Sequence, residues 1–160
     1  MAPNDVLAYV DLGVFLKGVK KPDEAAAEFA AAASAFRRVD ADRIASTAYY
    51  MIDHDVMVQE SVDVLLKALK DNPEANLGDW IGWGYFKLGQ LDQAKHYLAE
   101  AERGQVRVSL DTEEHLAAVY ERQGRTELAR GALQKALQAL PPLTSDAARI
   151  KAKLAALPAK

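Results

Sequence analysis

The chain contains no cysteine. That excludes disulfide staples, cysteine-ligated zinc and thiol catalysis, without fixing a compartment. An excess of either charge is also missing. Its 23 acidic and 20 basic residues leave a net charge of −3, which argues against the basic face of a general nucleic-acid binder. No apolar run approaches the roughly 18 residues of a membrane-spanning helix, so no membrane insertion is expected. The start, Met1-Ala2-Pro3-Asn4-Asp5, has no basic region leading into an apolar run and no small-residue cleavage site. No secretory signal is visible, and the chain reads as cytoplasmic. A segment excised from a longer exported protein, periplasmic for instance, reads the same way.

Helix formers fill the 160 residues, and β-branched clusters are short. Half the residues are hydrophobic and 27% are charged, the profile of one soluble globular domain over 1–160 with enough chain to bury a core. Frequent alanine and arginine point to a bacterial source.

One pattern is written four times at a spacing of roughly 34 residues. Its clearest copy is Ile81-Gly82, Tyr85, Gly89, Ala94, Leu98 and Ala101. The same columns recur as Leu12-Gly13, Leu16, Ala25, Phe29, Ala32, and as Ala48-Tyr49, Ile52, Ser61, Leu65, Ala68. They recur again as Leu116-Ala117, Tyr120, Gly124, Ala129, Leu133, Ala136. Such a period predicts stacked helical units, which usually offer a binding surface rather than a pocket for chemistry.

Each copy splits into two amphipathic helices. The third predicts helix A over 77–88, a turn at Gly89-Gln90 and helix B over 92–103, because glycine accepts the left-handed conformation that ends a helix. Small residues at Gly82, Ala94 and Ala101 let the backbones approach, and Tyr85 and Leu98 fill the gaps between them. In the fourth copy Asp111-Thr112-Glu113-Glu114 predicts a capping box with Asp111 as N-cap, and Gly124 makes the turn. Pro22 suits a first helical turn, and Asn72-Pro73 and Pro141-Pro142 stop helices. The second turn, Asp55-Val56-Met57-Val58, has no glycine. Between Gln105 and Leu110, Val106, Val108 and Leu110 alternate. A short strand fits the pattern, and packing beneath the helix ends fits it better. A last amphipathic helix is expected over 144–157, with Ile150, Leu154 and Leu157 as its apolar stripe and Arg149, Lys151 and Lys153 facing elsewhere. The expected total is nine helices: repeats at about 6–39, 42–74, 75–108 and 110–143, then a capping helix at 144–157.

These columns resemble those of the tetratricopeptide repeat (TPR), most strongly in the run from Asp79 to Leu98. The second copy is degenerate, since Tyr49 replaces the packing glycine and Ser61 the small alanine. The resemblance implies an all-α, right-handed solenoid of antiparallel helix pairs, with the first helix of each pair lining a concave groove. It implies a non-enzymatic scaffold or adaptor that binds a partner peptide or helix there, without cofactor. The alternatives are a self-assembling structural oligomer, or a regulatory segment of a larger bacterial assembly or secretion protein.

Carrying the family's groove positions onto this chain places Tyr50, Asp53, Asp79, Trp80, Trp83, Phe86, Lys87, Asp111, Glu114, Glu121 and Arg122 in the groove. Tyr50, Trp80, Trp83 and Phe86 form its aromatic centre. Asp79, Asp111, Glu114 and Glu121 give it an acidic flank, offset in part by Lys87 and Arg122. The expected partner segment is therefore apolar or aromatic with some basic character. No lysine occupies the positions at which chaperone-binding relatives hold a terminal carboxylate, so that mode is not expected.

The first helix is apolar nearly all round, through Val6, Leu7, Tyr9, Val10, Leu12, Val14, Phe15 and Leu16. Such a helix should be covered, which marks Leu7, Val10 and Val14 as a self-association or partner end and makes a homo-oligomer one expected outcome. Asp53-His54-Asp55 holds metal-ligand residue types, but neighbours on a helix point in different directions. His96 and His115 lack a catalytic or metal-binding context. No metal site, no nucleic-acid partner and no catalytic residue are expected.

Overall fold

The structure is a computed structural model that describes residues 5–40, 43–105 and 107–158. Among the described residues there are nine α-helices and no strand. The chain forms two compact units, Met1–Ala75 and Asn76–Lys160.

The first unit holds two helix pairs. Helix α1 (Val6–Gly18) packs on α2 (Pro22–Phe36), and α3 (Ile44–Asp53) on α4 (Val58–Asp71). The connection between α1 and α2 is three residues long, so the helices run antiparallel. Gly13 sets their approach, since a Cβ there would lie 2.5 Å from the Phe29 ring. Pro22 stands in the first turn of α2, where its missing N–H leaves no bond unmade. The second pair departs from this pattern. Tyr49 fills the column where Gly13 stands, and α3 and α4 make the fewest close backbone approaches of the four pairs. Its glycine-free turn forces Asp55 (φ 59°) and Met57 (φ 46°) into the left-handed region.

The second unit holds α5 (Gly78–Lys87), α6 (Leu91–Gly104), α7 (Leu110–Arg122), α8 (Thr126–Gln138) and α9 (Ser145–Ala156). Gly89 and Gly124 turn at φ 75° and 70°, as the sequence expects. A Cβ on Gly82 would lie 2.6 Å from Leu98 Cγ and 3.1 Å from the Ala94 carbonyl. That position therefore fixes the separation of α5 and α6. The core runs through Ala94, Leu98, Leu116, Ala117, Val119, Ala129, Leu133 and Ala136. It takes in Ile150 and Leu157, with Leu154 packed against it, which closes the apolar edge of the last pair. The Thr144 hydroxyl caps α9 by accepting from the Ala147 N–H at 3.1 Å.

Three local expectations need correction. The N-cap of α7 is Ser109 rather than Asp111. The Ser109 hydroxyl accepts from the Thr112 N–H at 3.4 Å, and the Gln105 side chain braces the turn by bonding the Ser109 N–H and the Thr112 hydroxyl. Glu113 and Glu114 are then free to point into the unit instead of back at the cap. Arg149 and Lys153 do not face away, because both turn onto Glu114. In the 105–110 segment Val108 is exposed rather than packed beneath helix ends. Val106 lies outside the described residues.

Candidate functional site

In the second unit Asp79, Trp83, Phe86 and Lys87 recur on α5 at intervals of one and two turns, so they share a face. Helix α7 packs beside α5 and brings His115 and Arg122 to it. The His115 ring lies on Trp83 with centroids 4.1 Å apart and planes 13° from parallel. Trp83 stacks in turn on Phe86, at 4.8 Å and 11°. Lys87 Nζ stands 5.3 Å from the Trp83 ring centre, and the Arg122 guanidinium 5.6 Å from that of Phe86. The Asp79 carboxylate accepts from His115 Nδ1 at 3.1 Å, with both side chains largely buried. A carboxylate only accepts, so the bond fixes the proton on Nδ1 and sets the ring plane.

Each ring contact of this kind adds about 0.5–1.5 kcal/mol beyond its buried area. The stack is therefore a set of rings that support one another. Trp83 and Phe86 are half-buried and keep part of their surface toward solvent. Trp83 Nε1 is buried with no acceptor among the described residues. Trp80, on the same helix, is also half-buried.

The acidic flank is smaller than the sequence suggests. Asp111 and Glu121 are exposed, whereas Asp79 is spent on His115. Glu114 is only 8% exposed and pairs with Arg149 and with Lys153, the latter at 2.6 Å. Burial pushes its carboxyl up, but the hydrogen bonds from Lys153 and Arg149 outweigh burial and hold it below the ordinary carboxylate range. Glu114 is thus an internal tie between α7 and α9 and no part of an open acidic surface. His115, by contrast, joins the stack: it falls at one of the family's groove positions, although its sequence context marks it for neither catalysis nor metal binding. Only the packing of α7 beside α5 brings it there.

In the first unit the Tyr50 hydroxyl donates to the Asp11 carboxylate and so ties α3 to α1. Burial, and then this bond, push the Tyr50 hydroxyl up to about 12. Its ring stacks on His54 at 4.2 Å, and His54 Nδ1 donates to the Tyr50 carbonyl at 2.8 Å. His54 is thereby used within its own helix, with Asp53 exposed beside it. Among the described residues no group of three or more His, Asp or Glu could hold a metal ion, and no helix is long and apolar enough to cross a membrane.

The expected partner end on α1 also needs correction. Leu7 and Val14 are exposed, but Val10 is wholly buried, because it shares the inward face with Val6 and Leu16. The larger exposed apolar residues are Phe15, at 62%, and Val19, at 49%.

No family model matches the chain, and no curated protein matches it. A solved structure does: a thermophilic TPR protein of Thermus thermophilus. It is 19% identical, with 93% of this chain and 82% of that one covered at a TM-score of 0.55. At that identity the likeness speaks for the fold, and it agrees with the repeat columns and with the helix pairs built on Gly13 and Gly82. The chain is an all-α helical repeat protein with the tetratricopeptide-repeat fold.

Proposed function

We propose that the protein is a non-enzymatic interaction module whose α5/α7 face takes an apolar or aromatic side chain of a partner polypeptide. One observation carries this reading: the His115–Trp83–Phe86 stack, held by Asp79 and flanked by Lys87 and Arg122. Half-buried aromatic rings that are fixed before binding lose little conformational freedom when a partner arrives. They are also the residue type that dominates binding energy at protein interfaces. A scaffold or adaptor role agrees with the repeat fold, which presents surfaces more often than pockets.

The charge around the stack refines the partner. Two of the four expected acids are engaged internally, and two cations lie over the rings. The anchor is therefore apolar, and charge of either sign on the partner is secondary. Binding by such an anchor falls little with added salt, since screening acts on charges and not on apolar contact.

The test is a random-peptide display library selected on the 160-residue chain, with no counter-selection. Enriched peptides should share an apolar or aromatic anchor. They should bind Phe86→Ala and Trp83→Ala at least about tenfold more weakly, the loss of roughly 1.4 kcal/mol or more that an anchor residue carries. Peptides that bind both variants as tightly as the parent would place the binding surface elsewhere.

A further inference from the structure

Helix α1 carries an apolar stripe that the described residues cover only in part: Ala8, Leu12 and Phe15, continued by Val19 at the C-cap. Ala8 and Leu12 are half-buried, and Phe15 and Val19 are exposed. The internal repeat says what this stripe is built for. The same columns in α3 hold Ala48 and Met51, both 0% exposed, and in α7 they hold Leu116 and Val119, at 2% and 0%. In α7 those positions belong to a helix packed against the preceding pair, α5 and α6. The column is thus a helix-receiving surface, and in α1 it keeps large apolar side chains without the helix.

Charge identifies the occupant. The N-terminal end of α1 is acidic at Asp5, and its C-terminal end is basic at Lys17 and Lys20, with Lys21 beyond it paired to Glu24 at 3.0 Å. A second α1 laid antiparallel sets Asp5 of each copy near Lys20 of the other, and opposes the two helix dipoles favourably. In the same arrangement Leu12 of each copy meets Phe15 of the other, and Ala8 meets Val19. Such a contact is self-complementary and closes under a two-fold axis. The geometry points to a homodimer in which the α1 stripes of two copies of this chain pack antiparallel. A single-helix contact is smaller than the about 800 Å² per partner of a standard interface, so the dimer forms in the micromolar range or weaker.

Sedimentation equilibrium on the 160-residue chain tests this, at concentrations up to about 1 mM. The expected result is a concentration-dependent monomer–dimer equilibrium. Phe15→Glu should weaken it at least about tenfold, because a charge then enters an apolar contact. Leu128→Glu, at an exposed apolar residue of α8, should leave it unchanged. The absence of cysteine gives a second readout that does not depend on a disruptive variant. Ala8→Cys and Val19→Cys chains, mixed and oxidised, should form the 8–19 disulfide between copies. A chain that stays monomeric throughout overturns the proposal. A dimer indifferent to Phe15→Glu, or disulfides confined to 8–8 and 19–19, does so as well.

Discussion

Ser61 is 0% exposed, and its hydroxyl has no hydrogen-bond partner among the described residues. It stands in the column where the other copies place Ala25, Ala94 and Ala129, all of them buried. The hydroxyl adds only the loss of its water to that environment, a cost of about 1–3 kcal/mol. Alanine removes the cost and is the better helix former. Ser61→Ala should therefore stabilise the protein by about 1 kcal/mol, read as a higher urea midpoint at unchanged slope. A lower midpoint would mean that the hydroxyl is bonded in solution. Ser61 is visible in the sequence as a departure from its column, but its orphaned oxygen is not. The same holds for Trp83 Nε1, on a ring that the His115 ring of α7 stacks against.

At the scale of elements, the sequence marks what is local. Gly89, Gly124, Pro22 and the spacing of Gly82 to Leu98 constrain backbone within one helix pair, so the pairs and their turns follow directly. It hides what depends on partners far along the chain. Glu114 looks like a surface acid, yet it joins α7 to α9 through residues 35 and 39 positions away. Asp111 fits a capping box, yet Ser109 caps first. Val10 looks like part of an apolar surface, yet α1 turns it inward. The Glu114 tie has a pH signature. Its carboxyl lies below its ordinary value in the folded state, so its stabilisation is present above the ordinary carboxylate range and is lost as pH falls through the folded value. Glu113 acts with the opposite sign. Burial raises its carboxyl more than the hydrogen bond from Lys135 lowers it, and Glu102 nearby adds to the rise. Its contribution is therefore present at low pH and falls as pH rises through its folded value. Glu114→Gln should cost about 1.5–3 kcal/mol at neutral pH, the scale of a charged hydrogen bond, and should flatten the acid limb of the stability profile. Urea midpoints from neutral to acid pH give the comparison. An acid limb as steep as that of the parent would show that Glu114 does not drive acid unfolding.

At the scale of the whole molecule, stability in a repeat fold is close to a sum over units and their neighbours. The α3/α4 pair is the weak unit on three local grounds. Tyr49 replaces the packing glycine, Ser61 buries an unpaired hydroxyl, and Asp55 and Met57 hold left-handed backbone at about 1–2 kcal/mol each. Its neighbour α1 is tied to it by the Tyr50–Asp11 hydrogen bond. The α5–α8 helices have glycines at both turns, a continuous core and the added cover of α9. Local opening should therefore be easier in α3 and α4 than in α5 to α8. Amide hydrogen exchange should show the amides of residues 48–52 and 62–66 exchanging at least about tenfold faster than those of 81–85 and 116–120, a gap of roughly 1.4 kcal/mol or more in opening free energy. Ser61→Ala should narrow that gap from the weak side, since it removes one of the penalties that make the pair weak. Equal protection in all four segments would mean that the chain opens only as a whole, and that the irregular second pair is held by more than its own contacts.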